Sequence, residues 1–285
     1  MKNKNVGLVM EGGAMRGMFT SGVIDVLMEN SIDFSCAVGV SAGAAFGCNY
    51  KSKQIGRAIR YNCAMANNKN YCSFRSLIKT GNLFNAEFGY HTLPFKIDLF
   101  DTETFKNNPM EFYCVATDIN TGKPLYYKFT DGKDKDLEYM RASASMPLAS
   151  KPVKVDGYTL LDGGMADSIP LEFMESKGYK KNVVILTQPR GFVKKPNSLM
   201  PLIKAALHKY PAVIKTMETR HIMYNNQTAH VFDQELKGNA FVICPPEPLN
   251  IKPMPKDIDE LRRVYNTGRS VAEERLNELM EFLKE

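Results

Sequence analysis

Phe34-Ser35-Cys36-Ala37-Val38-Gly39-Val40-Ser41-Ala42-Gly43-Ala44-Ala45-Phe46-Gly47-Cys48 is the stretch on which the fold turns. Its first five residues form an apolar run of strand length, and its last five carry small side chains suited to a buried helix. A strand, a sharp bend and a helix in that order place Ser41 at the bend, flanked by Gly39 and Gly43. That is the setting of a nucleophile elbow, in which glycines let strand and helix pass closely while the hydroxyl stands exposed. The helix N-terminus beneath it favours developing negative charge.

A G-x-S-x-G pattern alone arises by chance in about one protein in ten of this length, and a tight turn without chemistry explains it equally well. Further support lies upstream. Val6-Gly7-Leu8-Val9-Met10 reads as a first strand and Glu11-Gly12-Gly13-Ala14-Met15-Arg16-Gly17 as the loop leaving it. The loop lacks the glycine spacing of a dinucleotide fingerprint and the terminal Gly-Lys-Ser/Thr of a P-loop. Two readings remain, a plain strand-to-helix turn and an anion cradle of exposed backbone N–H groups suited to a tetrahedral oxyanion. Adjacent parallel strands would set this loop beside Ser41, which favours the cradle.

The 285 residues, 44% hydrophobic and 24% charged, have the composition of an ordinary globular protein with a full core. The basic start is followed by an apolar stretch that Glu11, Arg16 and glycines interrupt, so neither a signal peptide nor a membrane span is expected and the chain reads as cytoplasmic. Six scattered cysteines show no CxxC pair and no clustering with histidine. They read as reduced core thiols, and neither a metal nor a cofactor is expected. The net charge of +6 is uneven: no acidic residue lies between Asp33 and Glu87 or between Glu175 and Glu218, while lysines and arginines recur in both. Such runs point to an anionic surface or substrate, and without a nucleic-acid-binding motif nucleic acid is not the expected partner. In Arg190 to Lys215, Phe192, Leu199, Leu202, Ile203 and Leu207 interleave with lysines such as Lys194, Lys195 and Lys204, a pattern expected of peripheral contact with anionic membranes.

A helix follows the first loop, with Met18, Phe19, Val23, Ile24, Val26 and Leu27 on its apolar side. Strand, helix, strand, helix is the order of a parallel sheet covered on both faces. A further helix is expected within 54–67, an aromatic-rich excursion over the substrate entrance in 68–108, and strands at 111–117 and 124–130. Next come a helix at 137–143, a hairpin turned at Asp156-Gly157, and Asp162-Gly163-Gly164. A strand at 182–187 precedes a helical region over 198–224 broken at Pro211. A last strand at 240–244 and a helix over 257–284 interrupted near Gly268 complete the chain. A single domain over 1–285 is the simpler expectation, with a C-terminal helical extension from about residue 198.

Glu11-Gly-Gly-Ala-Met-Arg16-Gly17, Gly39-Val-Ser41-Ala-Gly43, Ala142-Ser-Ala-Ser-Met-Pro147 and Asp162-Gly-Gly164, taken together, resemble the patatin-like phospholipases in type and order. The resemblance covers a little over the first half of the chain and is nearest to bacterial members. It implies a three-layer α/β/α fold with a mostly parallel sheet and a serine-aspartate dyad that hydrolyses lipid acyl esters without a metal. Position by position, it makes Ser41 the nucleophile, Asp162 the base, Gly12, Gly13 and Ala14 the oxyanion loop, and Arg16 a substrate-binding residue. Two positions depart from the family pattern: Glu11 stands for the usual Asp, and Ala14 for the third glycine. Ala14 keeps its N–H, so the cradle is expected to survive provided that its backbone does not require φ > 0.

Two other readings are weighed. An α/β-hydrolase triad permits the order Ser41, Asp162, then His208, His221 or His230, although none of those histidines sits in a recognisable turn after a strand. A catalytically silent lipid- or anion-binding protein would keep the loop without hydrolysis.

Overall fold

The computed structural model describes residues 2–253 and 256–284. β1 (Lys2–Met10) pairs in parallel with β2 (Asp33–Val40), Met10 opposite Gly39, and α1 (Gly17–Glu29) makes the crossover between them. After Ser41 come α2 (Ala42–Lys51) and α3 (Arg57–Met65). The aromatic-rich excursion holds α4 (Phe74–Thr80), a π-helix (Phe88–Ile97) and α5 (Thr102–Asn107). Then follow β3 (Glu111–Asp118), β4 (Pro124–Lys128), α6 (Asp134–Ser143), β5 (Val153–Val155) and β6 (Tyr158–Asp162). The chain closes with α7 (Leu171–Ser176), β7 (Lys181–Ile185), α8 (Met200–Ala206), α9 (Pro211–Leu236), β8 (Ala240–Ile243), α10 (Ile258–Glu274) and α11 (Leu276–Lys284).

The sheet runs β5-β6-β3-β2-β1-β7-β8, with β4 also on β3. β3, β2, β1, β7 and β8 are mutually parallel, and β4, β5 and β6 pair antiparallel. Alternation along the central strands builds a core on each face. Leu8 and Met10 of β1, with Val183 and Ile185 of β7, join the cluster containing Met18, Phe19 and Val23 of α1 and Leu261 and Val264 of α10. Val9 and Val184 turn the other way, onto Leu171 and Met174 of α7 and Tyr224 and Val231 of α9. Each such side chain taken from water contributes about 1.5–3 kcal/mol, and this two-sided burial makes the three layers.

One detail of register positions the site. β2 pairs with β3 only as far as Val40 opposite Val115, and β4 occupies the opposite edge of β3. Where the chain leaves the sheet at Ser41, β6 takes over the vacated edge, with Asp162 opposite Ala116. The end of β6 therefore abuts the end of β2. The hairpin that delivers it turns at Asp156 (φ 49°) and Gly157 (φ 81°), both left-handed as a two-residue turn requires.

Of two breaks expected in the C-terminal half, the one at Pro211 is present, α8 ending at Ala206, and the one near Gly268 is not. Pro211 opens α9, where its missing N–H costs nothing, and that helix runs on to Leu236, beyond the expected limit at 224. Gly268 lies inside α10, which continues to Glu274. A Cβ there would stand 2.1 Å from the Phe19 carbonyl oxygen, so this glycine lets α10 press against α1.

Candidate active site

Ser41 leaves β2 with φ 53° and ψ −119°, a left-handed strain of about 1–3 kcal/mol that persists because the surroundings fix it. A Cβ on Gly39 would lie 2.5 Å from the Gly43 carbonyl oxygen, and one on Gly43 would lie 2.4 Å from that of Met10. Only glycines let the bend close this tightly. The Ser41 amide donates to Ser143 Oγ at 2.9 Å, and the Asp162 amide donates to the Ser145 carbonyl at 2.8 Å. The Ala142–Pro147 block, to which the sequence assigned no task, thus holds both residues at the end of α6.

Asp162 is buried, and its carboxylate accepts from the Gly164 amide at 2.8 Å. Burial raises its pKa above that of an ordinary aspartate, opposed by the Ser41 hydrogen bond, the Arg220 charge and the Gly164 amide. No histidine is among these neighbours. His208 is exposed with Nδ1 on the Ala205 carbonyl, and His230 pairs with Glu175 at 2.9 Å. His221 lies on α9 with a buried Nδ1 that has no partner among the described residues.

The loop after β1 presses onto the bend: a Cβ on Gly12 would stand 3.1 Å from Ser41 Cβ and 2.9 Å from the Val40 carbonyl oxygen. Among the described residues, the amides of Gly12, Gly13 and Ala14 have no protein acceptor, whereas those of Glu11 and Arg16 bond to Ile185 and Gly13 carbonyls. Ala14 adopts φ 48°, so its backbone does require the left-handed region. The alanine that replaces glycine is accommodated under strain of about 1–2 kcal/mol. What holds it is the loop's fixation at Glu11, whose buried carboxylate accepts from the Thr187 amide at 2.6 Å and the Tyr224 hydroxyl at 2.8 Å. Burial raises the Glu11 pKa, with Thr187, Arg16, Tyr224 and Lys194 acting in the opposite direction. Thr187 Oγ1 also donates to the Gly12 carbonyl at 3.0 Å.

Three residues of α9 at helical spacing reach both turns. Arg220 Nε donates to the Gly164 carbonyl, Tyr224 to Glu11, and Gln227 Nε2 to Asp167 at 2.6 Å. Gln227 Oε1 in turn accepts from the Ser168 and Ile169 amides at 3.1 and 3.0 Å. Neither this stripe nor Thr187 carries a sequence signature, and only the apolar periodicity of the helix was readable.

On its other side Ser41 forms part of the wall of a cavity of about 220 Å³, lined by apolar groups such as Ala45, Phe46, Phe84, Leu93 and Met140. The excursion over 68–108 supplies much of that lining. Arg16 is not among the residues lining that cavity, and its Nη2 lies 3.2 Å from where a Gly13 Cβ would be. In the basic region, Ile203 and Leu207 are buried, Arg190 pairs with Glu235 and Lys204 with Glu218, and Lys194 lies half-buried over the Tyr224 ring. Val193, Leu199 and Leu202 are exposed there. All six cysteines are free thiols, and no helix among the described residues is long and apolar enough to cross a membrane.

Residues 8–174 match the family model of the patatin-like phospholipases, and residues 210–284 match a domain of unknown function, DUF6363. The chain is similar to the uncharacterized protein YjjU of Escherichia coli K12, 28% identical over 93% of this chain and 75% of that protein. It is also similar to the patatin-like phospholipase domain-containing protein ZK370.4 of Caenorhabditis elegans, 28% identical over 61% of this chain and 13% of that protein. Lysophospholipase nte1 of Aspergillus oryzae is 28% identical over 61% of this chain and 11% of its own length. The chain thus spans a small part of these last two. VipD from Legionella pneumophila superposes with a TM-score of 0.45 at 12% identity, over 99% of this chain and 67% of that one.

Proposed function

The chain belongs to the patatin-like phospholipase family, and from that premise we propose that it is a serine lipid acyl hydrolase working through a Ser41-Asp162 dyad. Ser41 Oγ attacks the ester carbonyl carbon while Asp162 takes its proton, and the amides of Gly12, Gly13 and Ala14 receive the developing oxyanion. The C–O bond then breaks, and the alcohol departs with the proton returned from Asp162. Water attacks the acyl-serine, giving its proton to Asp162; the bond from the acyl carbon to Ser41 Oγ then breaks, Asp162 returns the proton to Oγ, and the fatty acid leaves. The apolar cavity beside Ser41 takes the acyl chain.

The observation that carries this reading is the change of partner along β3, which sets the buried Asp162 against the Ser41 side chain. Burial favours it further, since a carboxylate with a raised pKa is a better base near neutral pH. The three amides, which have no protein acceptor among the described residues, supply the stabilisation that a weak base cannot. Against a Ser-Asp-His triad stands the placement of His208, His221 and His230, none of which hydrogen-bonds to Asp162 or Ser41 among the described residues. The exposed Val193, Leu199 and Leu202, with the exposed Lys195 and Lys209, are the part of the basic region suited to peripheral docking on anionic lipid.

The test is covalent labelling by a serine-directed phosphonate, followed by a screen of lipid esters. The unmutated protein is expected to be labelled and to release fatty acid, and Ser41→Ala to do neither. An unmutated protein that binds lipid but resists both the label and turnover would leave the silent-binder reading in its place.

A further inference from the structure

The cavity beside Ser41 holds a polar cluster within its apolar walls. Arg57 and Tyr61, one turn apart on α3, line it together with Tyr71 from the following chain and Tyr90 from the π-helix. Packing fixes these rings. Tyr61 lies 6.5 Å from the Phe46 ring and 5.3 Å from the Arg57 guanidinium, and Tyr71 stands edge-on to Phe84 at 5.5 Å. The hydroxyls also act on one another. Burial raises the pKa of all three phenols; Tyr61 and Tyr90 raise that of Tyr71 further, and Tyr90 that of Tyr61, with Arg57 opposing at both. Beyond burial, Arg141 lowers and Asp162 raises that of Tyr90, which places the near end of the cluster towards the dyad.

Two of these hydroxyls lack partners. Among the described residues, those of Tyr71 and Tyr90 make no hydrogen bond, whereas the hydroxyls of Tyr126, Tyr127 and Tyr139 close on Asp167, Asp136 and Asp156. A phenol drawn out of water ordinarily finds a partner. Arg57 does not supply one, because its guanidinium is taken by the Asp98 carboxylate at 3.2 Å, the Asp98 carbonyl at 2.6 Å and Asn49 Oδ1 at 3.0 Å. With Arg57 on Asp98, and Arg141 of the same lining on Glu138, no unpaired charge awaits an anion. Among the described residues that line the cavity none is acidic, so a cation finds no counter-charge either. What the cluster offers is neutral hydroxyls that both donate and accept. An unsubstituted alkyl chain would strip them of water without replacing it, which is costly.

We propose that Tyr71 and Tyr90, with Tyr61 beside them, form a subsite for a neutral oxygen on the acyl half of the ester, so that the preferred substrate carries a hydroxylated acyl chain. This rests on the hydrolase reading and adds the class of acyl group. Phe46, Leu93 and Met140 take the methylenes, and the tyrosines take the hydroxyl. An alcohol matches a phenol because each can donate to the other and accept from it. A site built to hydrogen-bond such a group rejects the analogue without it more strongly than an apolar pocket rejects an added hydroxyl.

The experiment uses the full chain carrying Ser41→Ala, titrated calorimetrically with medium-chain acyl esters of glycerol, unsubstituted or with one hydroxyl at successive carbons of the acyl chain. At the carbon that reaches the cluster, the hydroxylated ester is expected to bind about tenfold tighter than the plain one, the worth of one hydrogen bond. Adding Tyr71→Phe or Tyr90→Phe keeps each ring and its packing. Each should weaken the hydroxylated ester and strengthen the plain one, a pair of opposite shifts that a merely structural role would not produce. No preference at any carbon, a preference that neither substitution changes, or equal weakening of both ligands would overturn the subsite. Stronger binding of the plain ester by the Phe variants, with no hydroxylated ester ever preferred, would mean that the hydroxyls only hold water and would overturn it too. Turnover by the unmutated protein reports on the hydrolase reading separately: preference in binding without turnover of either ester sinks that reading alone, and turnover without preference sinks the subsite alone.

Discussion

The turn at Glu11–Gly17 and the turn at Asp162–Gly164 both follow a strand, both are rich in glycine and both face Ser41, yet they are held in different ways. The second turn adds bonds of its own to those it receives from Ser145 and Arg220. Asp162 accepts from the Gly164 amide, Gly163 accepts from the amides of Ala166 and Asp167, and the hydroxyl of Thr117 on the neighbouring strand donates to the Asp162 carbonyl. The first turn is held from outside. Among the described residues the amides of Gly12, Gly13 and Ala14 have no protein acceptor, Ala14 is strained at φ 48°, and Glu11 is fixed by Thr187 and Tyr224. A turn that must leave donors free for a ligand has fewer left to stabilise itself, so more of its rigidity is supplied by distant parts of the chain.

The largest effect expected is on the second turn. Asp162→Asn keeps its shape and removes the base, so ester hydrolysis should fall by about 10²–10⁴-fold in a folded protein. His208→Ala, His221→Ala and His230→Ala should each retain most activity; one folded histidine variant as inactive as Ser41→Ala would replace the dyad by a triad. The same base gives the acid limb of the pH profile. Because the Asp162 pKa is raised by burial, activity should fall as pH drops through a value above the ordinary aspartate figure of about 3.9, as the carboxylate gains its proton.

Gly13→Pro removes an N–H and forces φ near −65° where the chain has 170°, so turnover should drop about 10²-fold or more. A folded variant with near-normal activity would show that the first turn does not act through its backbone. Tyr224→Phe tests the outside support, since it leaves a buried Glu11 oxygen without its donor. A stability loss of about 1–3 kcal/mol is expected in denaturant titration, together with a fall in kcat. Unchanged stability and rate would mean that α9 does not support the turn. The smallest effect is a gain: Ala14→Gly relieves the left-handed strain and should stabilise the protein by up to about 1 kcal/mol, after the greater chain entropy of glycine is offset. Destabilisation instead would mean that the alanine methyl packs better than its backbone suffers.

The sequence by itself determined the α/β class, the central strands and the four motif blocks. Apolar alternation and glycine placement are local signals, read within one element, and the residues proposed to act, Ser41, Asp162 and the first loop, each stand in a short motif of adjacent residues. The break at Pro211 was readable, because proline fixes where a helix can begin, whereas Gly268 was misplaced because a glycine that weakens an isolated helix can also let two helices touch, and only the neighbour decides which. The tertiary structure alone decided how the blocks meet. Ser41 and its anchor Ser143 are 102 residues apart in the chain, and Glu11 and Tyr224 are 213 apart. Such pairings depend on which strand takes over the edge of β3 and which turn of α9 faces the sheet. Those are properties of the packed whole, fixed by the burial of both sheet faces at once, and no short stretch of sequence contains them.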